Sequence, residues 1–202
     1  MEIRERILEA AARVYALHGY RGSTTRLIAN EAGVNEVTLF RTFGSKDSLF
    51  EELARGQANA AVVPDLPSRP ADPERELTDW CRVVLEFLTQ QRSFLRKSMS
   101  EMEERPRAAE AACRGPNCAG EVLEQYVHAL KAQKLAHPEG ETATAVSMLM
   151  SSLFGDAMCR DMMPDAFPAP AAEAPARYAR CFLRAVGVSL AASKKNSSVN
   201  AA

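Results

Sequence analysis

The chain has almost no net charge and few aromatic residues. Its 202 residues include 25 Lys/Arg and 26 Asp/Glu, for a formal net charge of -1, and only 6% are aromatic. Bulk electrostatics therefore gives no attraction to nucleic acid, and any such affinity must come from placed contacts. No apolar run is long enough to cross a bilayer or act as a signal peptide, so we expect a cytoplasmic protein without a membrane partner.

The sequence also lacks the residue patterns of common enzyme and metal sites. It has no paired acids, no Ser/His/Asp set, no metal-ligand spacing and no Gly-rich phosphate loop. We therefore expect no catalytic residues, no metal and no cofactor. A small helical enzyme is retained only as a third functional hypothesis.

The five cysteines are an odd number scattered through helical pattern, which argues against a secreted disulfide framework. Most of them are interpreted as small core residues. Cys113 and Cys118 differ because they flank a Gly-Pro-Asn sequence, for which we predict a turn that brings the two thiols close. This pair supports an alternative function, a thiol redox-sensing regulator.

Apolar residues recur at three and four positions, without strand alternation or an internal repeat, so we predict an all-α fold. The predicted helix starts are Thr24 or Thr25, Asn35, Ser45 and Asp72 as N-caps, with Pro73 at the first helical position. The first helix covers residues 2 to 18 and ends at His18-Gly19. The predicted later helices bend near Arg92, extend to Arg105, and then cover a segment around residues 122–130, residues 141–163 and residues 177–192.

A proline-rich segment, PDLPSRPADP, divides the chain after the fourth predicted helix. We predict a smaller N-terminal helical domain over residues 1–56 and a larger helical domain over residues 57–192. Residues 193–202 have little apolar surface to bury and are predicted to form a disordered tail. The first 56 residues hold eight basic and eight acidic side chains, so that domain too is neutral.

Residues 24–50, TTRLIANEAGVNEVTLFRTFGSKDSLF, are the most informative segment. Ala29, Gly33 and Leu39 supply, in order, a small residue at the closest helix approach, a residue tolerant of positive φ in the turn, and an apolar plug from the second helix. The ordered set is typical of a DNA-binding helix-turn-helix.

The same segment resembles the TetR family of bacterial repressors. The matching residues are Gly19-Tyr20, Thr24-Thr25, Ile28-Ala29, Ala32-Gly33-Val34, Thr38-Leu39-Phe40, Phe43 and the run Ser45 to Leu49. Phe40 stands where the family usually has a Tyr, so it lacks the hydroxyl that family members offer to a phosphate. The resemblance is specific over about the first quarter of the chain and implies a homodimeric repressor released by a small inducer.

The expected DNA-binding residues lie on the second, third and fourth helices. Glu36 is a candidate acceptor from cytosine, Val37 a contact for a thymine methyl group, and Arg41 and Thr42 contacts to base or phosphate. The resemblance implies that Thr25 binds a phosphate and that Arg26 reads guanine. Lys46 in a first helical turn is unfavourable without an anion, which suggests a phosphate contact. The full set is Thr25, Arg26, Asn35, Glu36, Val37, Thr38, Phe40, Arg41, Thr42 and Lys46.

The second domain is expected to bind an inducer and to form the dimer. An apolar, adaptable lining with few polar groups would suit an apolar or aromatic inducer; its candidates are Trp80, Phe87, Phe94, Met99, Met102, Tyr126, His128 and Met148. The resemblance places the dimer seam on the last two helices, with candidates Leu149, Ser152, Leu153, Phe154, Gly155, Met158, Phe182 and Val186. An intramolecular core would give the same periodicity.

We therefore expect a ligand-responsive transcriptional repressor that binds palindromic operator DNA as a dimer. Inducer binding would favour a spacing of the recognition helices that no longer matches the two half-sites.

Overall fold

The structure is a computed structural model that describes residues 2–60, 63–101 and 114–189, with side chains undescribed at residues 57–60 and 114–118. Within these ranges the chain is helical and contains no strand. The helices are α1 (Ile3–Gly22), α2 (Thr25–Glu31), α3 (Glu36–Phe43), α4 (Lys46–Ala60), α5 (Pro73–Gln90), α6 (Arg92–Ser100), α7 (Arg114–Ala132), α8 (Thr142–Cys159) and α9 (Ala174–Ala185). Two short 3₁₀ turns, Pro164–Ala166 and Ala171–Glu173, lie between α8 and α9.

The predicted helix starts are confirmed by side-chain caps. The Thr24 hydroxyl accepts from the Leu27 N–H at 3.1 Å, and the Asn35 side chain accepts from the Thr38 N–H at 2.7 Å. The Ser48 N–H donates to the Ser45 hydroxyl at 3.0 Å, and the Arg75 N–H donates to Asp72 at 3.2 Å. Each cap satisfies a backbone donor that the first helical turn leaves unpaired.

Several predicted boundaries differ from the structure, among them the end of the first helix, which lies at Gly22. The turn expected at Gly-Pro-Asn lies instead inside α7, which begins at Arg114. The helix expected to reach residue 163 ends at Cys159, because the Met162 and Met163 N–H groups both donate to the Cys159 carbonyl and close a turn. The last helix begins at Ala174, since proline is tolerated in a first turn, and stops before Gly187, whose φ is 79°.

The buried side chains form two clusters. The N-terminal cluster joins α1 to α4 and includes Phe94 of α6, whereas the C-terminal cluster joins α5, α7, α8 and α9. The division of the chain at residue 56 remains a prediction, and α4 continues to Ala60. None of the helices in the described ranges is long and apolar enough to cross a lipid bilayer. The predicted tail, residues 193–202, lies outside the described residues.

Candidate nucleic-acid interface

Helices α2 and α3 are joined by a tight turn and share one buried face. Ile28 and Ala29 of α2 and Leu39 of α3 are at most 1% exposed. Gly33 has φ 65° in the turn between them, a conformation that L side chains adopt only at a cost. The predicted helix-turn-helix is therefore present, with its small residue, its glycine and its apolar plug in the expected places.

Two arginines from α1 hold this motif in position. The Arg6 guanidinium donates to the Ala32 carbonyl at 2.6 Å and to the Gly33 carbonyl at 3.3 Å. Arg4 pairs with Glu52 of α4 through its Nε at 2.9 Å and lies 4.9 Å from the centre of the Phe43 ring. Cations at the C-terminal ends of α2 and α3 complement the helix dipoles, so α1 fixes the orientation of α3.

The outer face of α3 is apolar at its centre and basic at its edge. Val37 is 74% exposed and Phe40 is 45% exposed. Arg41 on α3 and Arg26 on α2 are also exposed. Across the described part of the chain neither arginine makes a hydrogen bond or an ion pair, so both can bind an external acceptor.

Several of the predicted DNA-binding residues bind one another in this state. The Thr25 hydroxyl donates to Glu36 at 2.5 Å. The Thr38 hydroxyl donates to the Asn35 side-chain oxygen at 2.8 Å, and the Thr42 hydroxyl donates to the Thr38 carbonyl at 2.7 Å. The Glu36 carboxylate, which was expected to accept from cytosine, is thus already hydrogen-bonded. Its donor is the Thr25 hydroxyl, which was expected to bind a phosphate.

Lys46 is engaged inside the domain, contrary to the interpretation that an external anion must balance it. Its Nζ donates to the Tyr20 carbonyl at 2.5 Å and lies 4.0 Å from the centre of the Tyr20 ring. The Tyr20 hydroxyl in turn donates to Asp47 at 2.5 Å. The carbonyl and the ring offset the unfavourable helix-dipole position, so the argument for a phosphate at Lys46 no longer holds.

Helix α6 connects the N-terminal helices to the C-terminal cluster. At its C-terminal end, Glu101 accepts from the Tyr15 hydroxyl at 2.8 Å and from the Tyr20 N–H at 2.7 Å. At its N-terminal end, Arg92 donates to the Ala157 carbonyl at 2.5 Å, and Arg96 donates to the Met158 carbonyl at 2.9 Å. Both arginines also contact the Asp161 carboxylate, which has a lowered pKa because of its hydrogen bond to Arg96.

These connecting residues were not identified from the sequence. Glu101 lies more than 80 positions from its partners on α1, and Arg92 and Arg96 lie more than 60 positions from theirs on α8. No local pattern marks such contacts. A second missed group is Asp156, 2% exposed, which binds Arg160 and accepts from the Tyr178 hydroxyl at 2.9 Å, so it ties α8 to α9.

The predicted inducer-binding residues do not lie at one place. Trp80 and Tyr126 are buried in the C-terminal cluster, with Phe87 packed at its edge, whereas Phe94 is in the N-terminal cluster, 5.1 Å from the Tyr15 ring. Met99, His128 and Met148 are exposed. Met102 lies outside the described residues, as does Cys113, and the Cys118 side chain is likewise undescribed.

The polar groups of the two buried aromatic residues already have partners. The Trp80 indole donates to the Pro64 carbonyl at 2.9 Å, and the Tyr126 hydroxyl donates to Glu76 at 2.6 Å. Burial and the Glu76 carboxylate raise the pKa of Tyr126. Burial would raise the pKa of Glu76, but hydrogen bonds from the Asp72 N–H, Tyr126 and the Ala71 N–H prevail and lower it.

Most of the predicted dimer residues are buried within the chain itself. Leu149, Leu153, Met158, Phe182 and Val186 are at most 4% exposed and belong to the C-terminal cluster. These residues therefore form no exposed apolar patch on a single copy, because α5 packs against α8 and α9.

Gly155, Ser152 and Phe154 are half-buried. A side chain added at Gly155 would meet the Phe167 ring at 3.9 Å, so this glycine faces the loop after α8. A shallow groove of about 90 Å³ remains between α8 and α9, lined by Ala145, Met148, Leu149, Ser152, Tyr178, Cys181, Phe182 and Ala185.

Cys81, Cys159 and Cys181, the cysteines whose side chains the structure describes, are free thiols that differ in burial. Cys81 is buried, which raises its pKa to about 12, as expected for a small core residue. Cys159 is half-buried, and Cys181 is exposed on the α8–α9 groove, so it is not a core residue.

Comparison with known proteins agrees with this geometry. The family described as "Bacterial regulatory proteins, tetR family" matches residues 7–53, from α1 into α4. The HTH-type transcriptional repressor AcnR of Corynebacterium glutamicum is 39% identical over 98 residues, which cover 45% of this chain and 51% of AcnR. The match thus spans about half the length of that relative.

Solved structures extend the likeness to nearly the whole chain. A TetR-family transcriptional regulator from Mesorhizobium loti superposes with a TM-score of 0.74 and 21% identity, covering 91% of this chain and 94% of that one. The flavonoid-responsive regulator FrrA superposes with a TM-score of 0.70 and 21% identity, covering 90% and 93%. At such identities the superpositions establish the fold, and the family match adds the ancestry of the helix-turn-helix. Residues 7–53 thus carry the helix-turn-helix of the tetR family of bacterial regulatory proteins, within a chain that has the fold of TetR-family structures.

Proposed function

We propose that the chain is a transcriptional repressor that inserts α3 into the major groove of palindromic operator DNA. The observation that carries the proposal is the outer face of α3, where Val37, Phe40 and Arg41 are exposed beside Arg26. Arg4 and Arg6 hold that face in a fixed orientation. The domain is neutral overall, and these two arginines, which make no hydrogen bond or ion pair within the described ranges, can bind DNA acceptors.

The other predicted contacts have supporting roles in this proposal. Asn35, Thr38 and Thr42 lie on the same helix and keep α3 capped and rigid. Thr25 is at the first position of α2, where the helix dipole favours a phosphate, and its hydroxyl can exchange Glu36 for that phosphate on binding. Lys46 has no DNA contact in this proposal, because its ammonium is bound by the Tyr20 carbonyl.

The DNA-binding form in this proposal is a homodimer through α8 and α9. The exposed Met148 and Cys181 and the small residues Ala145, Ser152 and Ala185 line the groove between these helices, so a second copy of the pair can approach closely. Two-fold symmetry would present two α3 helices to half-sites about 34 to 36 Å apart.

The proposed inducer is a small apolar or aromatic molecule that binds in the C-terminal cluster. Trp80, Phe87 and Tyr126 are the predicted lining residues that the structure keeps together there. The groove of about 90 Å³ on α8 and α9 is smaller than the 300 Å³ or more of ordinary ligand sites, which supports its use as an interface. The name of FrrA, a flavonoid-responsive regulator, supports small-molecule control in a protein of this fold.

Selection from randomised duplex DNA, followed by mobility-shift assays, tests the proposal. We expect a palindromic sequence to be recovered, and Arg26→Ala and Arg41→Ala to weaken its binding, with at least one of them relaxing base preference. A bidentate base contact discriminates by about 1 to 3 kcal/mol.

Arg75→Ala is the matched control, because Arg75 is an exposed arginine at the start of α5, the opposite end of that helix from α6. If no sequence is enriched, or if all three variants bind the selected DNA like the wild type, α3 is not the recognition helix.

A further inference from the structure

Helix α3 directs apolar side chains to both of its faces. Leu39 and Phe43 point into the N-terminal cluster, at 0% and 8% exposure. Val37 and Phe40 point outward, at 74% and 45% exposure. Residues three apart lie side by side on a helix surface, so Val37 and Phe40 form one continuous apolar strip. Exposure of this strip to water is unfavourable, so contact with another apolar surface would stabilise it.

The polar groups around this strip differ in whether they already have hydrogen-bond partners within the protein. The Glu36 carboxylate accepts from Thr25 at 2.5 Å, and the Asn35 side-chain oxygen accepts from both the N–H and the hydroxyl of Thr38. One Glu36 carboxylate oxygen and the Asn35 side-chain oxygen are therefore engaged inside the protein. The guanidinium groups of Arg26 and Arg41, in contrast, make no hydrogen bond or ion pair within the described chain.

In the major groove, each base edge presents different donors, acceptors or methyl groups to such a surface. Guanine presents two acceptors, adenine and cytosine present amino donors, and thymine presents a C5-methyl group. The arginine donors match guanine, and the apolar strip matches thymine.

We infer that Val37 and Phe40 form a surface that reads thymine C5-methyl groups at the centre of the half-site, flanked by guanines bound through Arg26 and Arg41. This inference rests on the proposed insertion of α3 into the major groove. Phe40 then gains a role in base recognition through its ring. Glu36 acts as a positioning residue that orients Thr25, instead of reading a base.

Replacing single thymines by deoxyuridine tests the inference, because this change removes only the C5-methyl group. Each half-site thymine of the selected operator is replaced in turn, and binding is measured by mobility shift. We expect about a fourfold loss of affinity at each contacted thymine, from the loss of one buried methyl group. Replacements outside the half-sites should change nothing.

The protein side of the test is a double-mutant cycle. In Val37→Ala the uracil penalty should vanish at one thymine position, and in Phe40→Ala at a neighbouring one. Leu17→Ala is the matched control, because Leu17 is also 74% exposed but lies on α1; it should keep every uracil penalty.

The outcomes separate this inference from the proposed function. Tight, sequence-specific binding that is the same with uracil as with thymine overturns the methyl-reading surface and leaves the repressor proposal standing. Uracil penalties that persist unchanged in both Val37→Ala and Phe40→Ala also overturn it. A failure to bind any DNA specifically overturns the proposed function itself.

Discussion

Glu101 joins the two halves of the molecule, and removing its carboxylate should loosen that junction. One oxygen accepts from the Tyr15 hydroxyl at 2.8 Å and the other from the Tyr20 N–H at 2.7 Å. Tyr20 is also bound by Lys46 and Asp47 of α4, so the carboxylate holds the point where α1, α4 and α6 meet. We expect Glu101→Ala to destabilise the protein and to uncouple its two clusters.

The magnitude follows from the two hydrogen bonds. A bond to a charged group contributes about 1.5 to 3 kcal/mol, and Glu101 is half-exposed, so we take the lower end and expect a total loss of about 2 to 3 kcal/mol. With a urea dependence near the upper end of the usual range, the unfolding midpoint should fall by about 1 M.

Urea unfolding followed by two signals at fixed protein concentration provides the assay. Trp80 is the single tryptophan and lies in the C-terminal cluster, so its emission follows that half, whereas far-UV circular dichroism follows all helices. In Glu101→Ala the two transitions should separate. Glu101→Gln keeps an acceptor, so its unfolding midpoint should lie between those of the wild type and Glu101→Ala. Glu86 is an exposed carboxylate on α5, and Glu86→Ala should match the wild type. A Glu101→Ala midpoint equal to that of Glu86→Ala, with coincident transitions, would refute the reasoning.

Three further outcomes are expected. Lys46→Met should lower stability by about 1 to 2 kcal/mol, because the carbonyl and ring contacts of the ammonium are lost. The salt dependence of DNA binding should stay unchanged. A slope of log K against log salt concentration that is smaller in magnitude by about 1 would restore the phosphate interpretation. The folded-state pKa of Glu76 is lowered, so its contribution to the unfolding free energy is present above its ordinary pKa of 4.5 and is lost as pH falls through the folded value. Glu76→Gln should flatten that acid-side loss in urea titrations at several pH values, and an unchanged pH profile would contradict it. Met148→Glu should give a monomer in analytical ultracentrifugation. Met162→Glu is the matched control, because Met162 is 62% exposed and Met148 is 64% exposed, and this variant should remain a dimer. A dimer in both variants would place the dimer interface elsewhere.

Local chemistry predicted the helix-turn-helix because its signals lie close together in the sequence. Thr24, Asn35 and Ser45 cap helices through groups three residues away, and Gly33 adopts the positive φ that the turn requires. Such features depend on a few neighbouring residues and are therefore visible in the sequence.

Contacts between distant segments were less accessible to prediction. The helix dipole alone made Lys46 an anion-binding candidate, but a carbonyl 26 residues earlier supplies its partner. Helical periodicity identified Leu153 and Phe182 as buried without telling whether the chain or a second copy buries them. Only the packing of α9 and α8 on α5 settles that question.

Hydroxyl-radical footprinting on the selected operator tests the central claim most directly. A dimer that presents two α3 helices should protect two patches on one face of the duplex, about 34 to 36 Å apart, and Arg41→Ala should lose both patches together. A single protected patch, or protection that is the same on unrelated DNA, would contradict the account.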